Sequence, residues 1–224
     1  MEKNEFVNLM EKYGQEHIIQ HLRTLSTDEE RTFLRGVSGM NLELIFSLYE
    51  KFSSHSDTPT KYKKIEPPRI IDTVTANGEQ KEEVLQIGEK TIRKGETAVI
   101  IVAGGQGTRL GYPHPKGMYP ISPVKGKSLF QISSEKLLAL SRKYSVKIPL
   151  LIMTNPETQK EIEYFFEKHN FFGIEEGNIF FFQQEMLPSI TPDRKLILKD
   201  KTSLMANPDG HGGCLKSLWQ SGLL

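Results

Sequence analysis

The apolar run Ile100-Ile101-Val102-Ala103 breaks into Gly104-Gly105-Gln106-Gly107-Thr108-Arg109-Leu110-Gly111, and a second cation, Lys116, follows between Pro115 and Gly117. Glycines let main-chain N–H groups approach a ligand closely, because no Cβ intervenes and positive φ is accessible. An arginine and a lysine beside such a loop supply positive charge for phosphate. Nucleotide or phosphate binding is the chemistry that these residue types suit. Counting tests three versions of it. The dinucleotide pattern G-x-G-x-x-G fails, since counting from Gly105 puts Leu110 where the third glycine belongs. Gly126-Lys127-Ser128 has the ending of a P-loop, but Ile121 occupies the required glycine position and no apolar strand precedes it. That tripeptide reads as a loop into a helix, with Ser128 as its N-cap. No catalytic-loop or metal-binding signature of a protein kinase follows. A loop of nucleotide-sugar type is left.

The elements that must position these residues are legible as periodicities. Thr97 to Ala103 is a short, β-branched apolar run that predicts a strand buried on both faces. Similar runs cover Pro149 to Thr154 and Asn178 to Gln184, and helical patterns lie between them at Leu129 to Tyr144 and Glu157 to His169. Strand and helix in alternation predict parallel pairing in an α/β sheet, whose ligands gather at the carboxyl ends of the strands. The glycine loop stands at such an end. Upstream, Asn4 to about Phe52 is helical in pattern, with Thr27 and Glu30 read as a capping box. The stretch at residues 53–64 reads as a polar surface linker, and Glu79 to about Arg93 as one more helix. Arg194 to Asp200 alternates charged and apolar residues, as a half-exposed strand or hairpin arm does. Two parts are expected: a helical segment over 1–95 and a nucleotide-binding α/β core over 96–224.

Bulk composition narrows the partners. Lysine and arginine number 29 against 28 acidic residues, so no global field argues for nucleic acid or an anionic membrane. The single cysteine, Cys214, excludes an intrachain disulfide and metal sites built on paired cysteines. No apolar run approaches the ~20 residues that cross a bilayer, and the amino terminus lacks a secretory signal's apolar core. The cytoplasm is the expected compartment.

The stretch Ala103 to Ile121, "AGGQGTRLGYPHPKGMYPI", closely resembles the signature of the eukaryotic-type UDP-sugar pyrophosphorylases, above all the UDP-N-acetylglucosamine branch. "LIMTNPET", "KHNFFG", "IFFFQQEMLPSI" and "NPDGHGG" follow in that family's order. The resemblance covers roughly Thr97 to Leu218 and is weaker in the helical part. It implies a Rossmann-like nucleotidyltransferase fold of GT-A type, a mixed sheet flanked by helices, with a helical amino-terminal segment. It also implies attack of a sugar-1-phosphate oxygen on the α-phosphorus of UTP, releasing pyrophosphate, with Mg²⁺ as cofactor. UTP and the sugar-1-phosphate are the expected partners.

The same resemblance assigns roles. The main chain of Ala103, Gly104 and Gly105 is expected to hold uracil and ribose. Gly107, Thr108 and Arg109 embrace the triphosphate, and Lys116 contacts phosphate during transfer. Gln184 reads the uracil edge, its amide both donating and accepting. Gly210 contacts the nucleotide and His211 the sugar. Separately, the strand-end position of Met153 and Thr154 places them at the pocket wall, with core filling equally open for Met153. His211 is a departure, because the N-acetylglucosamine branch carries asparagine there and UDP-glucose enzymes carry Gly-His-Gly. Both N-acetylglucosamine-1-phosphate and glucose-1-phosphate therefore stay open. Length is the second departure. The family is roughly twice as long, with its main metal-binding carboxylate beyond the position of Leu224, so the chain reads as an amino-terminal half.

Overall fold

The protein is described from a computed structural model covering residues 2–53, 66–67 and 78–223. The linker expected at 53–64 falls, from Ser54 onward, outside those residues. Two compact units emerge, Met1–Lys61 with Glu185–Gly213, and Tyr62–Gln184 with Cys214–Leu224. The hairpin arm at Arg194 to Asp200, expected within the α/β core, clusters instead with the amino-terminal helices.

The first unit opens with α1 (Lys3–Lys12), α2 (Glu16–Leu22), α3 (Thr27–Ser38) and α4 (Leu42–Ser53). Their apolar stripes meet in a core of Phe6, Met10, Ile18, Leu22, Phe33 and Phe46, which Leu196 and Leu204 also enter. The cap of α3 lies one residue earlier than Thr27: the Ser26 hydroxyl accepts from the Glu29 amide, and the Glu29 carboxylate accepts from the Ser26 amide at 2.9 Å. The returning chain is bound to the helices through polar groups. Gln15, 1 % exposed, donates its Nε2 to the carbonyls of Tyr13 and Arg194 and accepts from the Leu196 amide at 2.9 Å. Arg194, with φ 67, lays its guanidinium over the rings of Tyr13, Phe46 and Tyr49.

The second unit begins at α5 (Gly78–Arg93) and continues through β1 (Val99–Val102), α6 (Leu129–Tyr144), β2 (Leu150–Thr154), α7 (Gln159–Lys168) and β3 (Ile179–Gln183). The three strands form a parallel sheet in the order β1-β2-β3, with Val102 beside Met153 and Met153 beside Phe182. In the first unit lie two antiparallel pairs, β4 (Met186–Pro188) with β7 (Ala206–Pro208) and β5 (Leu198–Asp200) with β6 (Ser203–Leu204). The chain ends in α8 (Cys214–Gln220).

One face of the parallel sheet carries Val99, Ile101, Leu150, Ile152 and Ile179 into a core with Phe130, Leu137, Ile162 and Phe166. The other packs Leu151, Met153 and Phe182 against Cys214 and Leu218 of α8. Burial there pushes the Cys214 thiol above its ordinary range, as suits a small apolar filler. β2 is buried along its whole length, but β1 is not, contrary to the expectation of burial on both faces. It ends the sheet, and α8 packs over β3, so Ile100 and Val102 stay 37 % and 52 % exposed. Ser128 caps α6 as expected, its hydroxyl accepting from the Gln131 amide at 3.1 Å. Lys127 pairs with Glu135 on the same helix, a surface contact that uses the would-be P-loop cation.

Candidate nucleotide site

The glycine loop leaves β1 at Ala103, whose amide still donates to the Met153 carbonyl at 2.7 Å. It then makes an excursion that closes on itself. The Gly105 carbonyl accepts from the Lys116 amide at 3.0 Å, Gln106 bridges Pro115, and the Gly107 amide donates to the His114 carbonyl at 2.9 Å. Short 3₁₀ turns at Thr108–Leu110 and Lys116–Met118 carry the two cations. Arg109 and Lys116 are exposed, and among the described residues neither has an ion-pair partner. Among the described residues, too, the amides of Gly104, Gly105 and Gln106 donate to no backbone acceptor. Open amides beside two uncommitted cations are what a polyphosphate needs.

The glycines are not equivalent. A Cβ on Gly107 would lie 2.6 Å from the His114 carbonyl oxygen, and one on Gly117 would lie 2.1 Å from the Phe130 ring. These two let the loop pack against itself and against α6. Gly107 is buried with its amide already engaged, so its N–H is not among the open donors. Gly104 instead faces the Gln184 side chain, whose Oε1 would stand 3.0 Å from an added Cβ, and Gly105 lies under the stem of Lys116. The fold thus brings Ala103, Gly104, Gly105, Lys116 and Gln184 together, with Thr108 and Arg109 exposed farther along the loop. Gln184 is 6 % exposed, and its main-chain N–H extends the β2–β3 ladder by donating to the Thr154 carbonyl at 2.8 Å.

Thr154, expected to line the pocket, and Met153, expected either to line it or to fill core, are both fully buried. Met153 is core beneath α8, and the Thr154 hydroxyl donates to the Phe182 carbonyl at 3.2 Å. Gly210 and His211 belong to the other compact unit. Gly210 holds φ 84, and His211 opens an exposed 3₁₀ turn at His211–Gly213, where a Cβ on Gly213 would strike the Asp209 carboxylate. Among the described residues no group of three or more His, Cys, Asp or Glu side chains converges as a metal site.

Asn155 was not among the expected site residues. It is 4 % exposed at the carboxyl end of β2 and reaches the loop, its Nδ2 donating to the Gly104 carbonyl at 2.7 Å. The signal was present in Thr154-Asn155-Pro156-Glu157-Thr158: asparagine before proline at a strand end reads as a turn opening a helix.

The fold matches that of solved nucleotidyltransferases. The uridine diphosphate N-acetylglucosamine pyrophosphorylase of Trypanosoma brucei, solved with an inhibitor, superposes with a TM-score of 0.75 at 24% identity, over 96% of this chain and 44% of that one. A putative UDP-N-acetylglucosamine pyrophosphorylase from Entamoeba histolytica is 38% identical, with a TM-score of 0.59 over 67% of this chain and 38% of its own. The chain belongs to the UTP–glucose-1-phosphate uridylyltransferase family, whose model matches residues 42–224. Curated relatives include UDP-N-acetylglucosamine diphosphorylase 2 of Arabidopsis thaliana, 36% identical over 97% of this chain and 46% of its own length. The UDP-N-acetylglucosamine pyrophosphorylase of Saccharomyces cerevisiae is 35% identical over 96% of this chain and 44% of its own. The chain spans less than half the length of these relatives.

Proposed function

We propose that the chain carries the uridine-nucleotide site of a UTP:sugar-1-phosphate uridylyltransferase. The observation that supports it is the glycine loop of a family member in which, among the described residues, the amides of Gly104 and Gly105 meet no backbone acceptor and the adjacent Arg109 and Lys116 have no ion-pair partner. Ala103, Gly104, Gly105 and Gln184 hold uracil and ribose, and Thr108 and Arg109 hold the triphosphate. Lys116 neutralises charge that grows on the α-phosphate as the sugar phosphate oxygen attacks it. That nucleophile is already ionised, so positioning and charge neutralisation supply the catalysis. Gly210 and His211 enter only through the motif they share with the family. The sugar phosphate is N-acetylglucosamine-1-phosphate, as in the named activity of the curated relatives, with glucose-1-phosphate as the competitor that His211 keeps open. Mg²⁺ would accompany the triphosphate and offset its charge; no ligand for it is assigned among the described residues.

The test is pyrophosphate release from UTP, Mg²⁺ and each sugar phosphate, with ATP as control and calorimetry for UTP. Lys116→Ala is expected to weaken UTP binding on the order of tenfold, the effect of losing one charged hydrogen bond, with an unchanged melting temperature. Binding of UTP without turnover would support a second reading, a uridine-nucleotide-binding part without activity of its own. The chain's share of its relatives' length, 44–46%, favours keeping that reading. Absence of both binding and turnover would sink the two together.

A further inference from the structure

We propose that Asn155 is the positioning residue that sets which way the Gly105 amide points. The proposal rests on the uridine-nucleotide reading of the loop. Asn155 uses its two ends differently. Its Oδ1 accepts from the amides of Glu157 and Thr158, at 2.9 and 2.8 Å, and from the Thr158 hydroxyl at 3.0 Å. This turn leads into α7. Its Nδ2 donates to the Gly104 carbonyl at 2.7 Å.

A trans peptide is planar, with its C=O and N–H pointing in opposite directions. Fixing the Gly104 carbonyl toward Asn155 therefore turns the Gly105 N–H to the opposite side. There Gly105 is exposed, its amide has no backbone acceptor among the described residues, and the Lys116 stem passes nearby. Glycine at both 104 and 105 makes this peptide plane unusually free to rotate, since neither residue has a Cβ to oppose a flip. A clamp from outside the loop is what restricts it. A second tie between loop and α7, the His114–Glu161 pair, is solvent-exposed and a weak anchor. Asn155 is buried, so its hydrogen bond is shielded from competing water.

Asn155→Asp separates the two ends. The introduced carboxylate still accepts from the turn amides, a task for which Asp and Asn are equivalent, but at pH 8 it has no proton for the Gly104 carbonyl. UTP affinity is expected to fall tenfold or more, measured at a temperature where the variant remains folded. In ¹⁵N spectra of the ligand-free chain the Gly105 amide should shift and broaden as the plane is released. Asn155→Ala loses both ends and should lower affinity and melting temperature together. An Asn155→Asp variant with wild-type UTP affinity and an unmoved Gly105 resonance would overturn the proposal. So would an affinity loss that only mirrors a lost melting temperature. Failure of the wild-type chain to bind UTP would strike the uridine-nucleotide reading, and the Gly105 resonance would still decide the clamp.

Discussion

Gln15 in the helical unit and Asn155 in the α/β unit are both buried primary amides that catch backbone carbonyls of a distant segment. They differ in what lies beyond the group they hold. Gln15 fastens Arg194 and Leu196 into a hydrophobic core, where Leu196 itself is 3 % exposed. Everything it touches ends on protein. Asn155 holds one side of a peptide whose N–H, on the other side, meets no backbone acceptor among the described residues. One amide is a joint and the other an aiming device, although their chemistry is the same. A buried polar side chain becomes a functional candidate when the group it orients has a vacant opposite face.

Three substitutions press on that contrast. The largest effect is expected from Gln15→Ala, which strands the buried Leu196 amide and Arg194 carbonyl. Unit stability should fall by about 3 kcal/mol, the cost of leaving such groups unsatisfied, read by denaturant titration and amide exchange of α1 and α2. The Gly105 resonance should not move; if it did, the joint and the aiming device would be one system. Gly117→Ala comes next. Its methyl meets the Phe130 ring, which is 1 % exposed, so the ring or the loop must shift. Overpacking of this kind costs about 2 kcal/mol, and the loss of amide-exchange protection should be confined to α6 and the parallel sheet.

The smallest effect is a pH dependence. A hydrogen bond from Lys201, then those from Ser26, hold the Glu29 carboxyl down to about 2 from the ordinary 4.5. The folded state thus prefers the ionised form. Its contribution is complete above the unfolded value and is lost as pH falls from there through about 2. Glu29→Gln should flatten the acid limb of the helical unit's stability curve and leave the parallel sheet's limb alone. Because the pair is solvent-exposed, the flattening should be slight and should vanish in high salt.

Much of the α/β unit could be read from the sequence because its signals are local. The strands at 99–102, 150–154 and 179–183 are apolar runs, and the Ser128 cap declares α6 three residues ahead of its partner, Gln131. The glycine loop was legible for the same reason, since its composition and the neighbouring cations are contiguous. The errors lie where distant partners decide. Burial of β1 depends on what covers its second face, which its own residues cannot state. The hairpin arm around Leu198 alternates as any half-exposed strand does, and its partners, among them Gln15, the rings under Arg194 and Glu29 beneath Lys201, lie on helices far away in sequence. Thr27 and Ser26 are equally good caps in composition, and the turn geometry selects the serine. Asn155 was missed because its pattern names a turn, whereas its second hydrogen bond is visible only in three dimensions.

The exposed pair Ile100 and Val102 has a consequence for the protein's colloidal behaviour. β1 is the outer strand of the described sheet and turns two aliphatic side chains toward solvent on one face. Such an edge is a template for strand addition by another molecule. With a formal charge of +1, long-range repulsion does little to keep copies apart. Scattered light should therefore rise with protein concentration, and more steeply as salt strengthens apolar contact. The strand that aims the glycine loop is also an edge open to unwanted company.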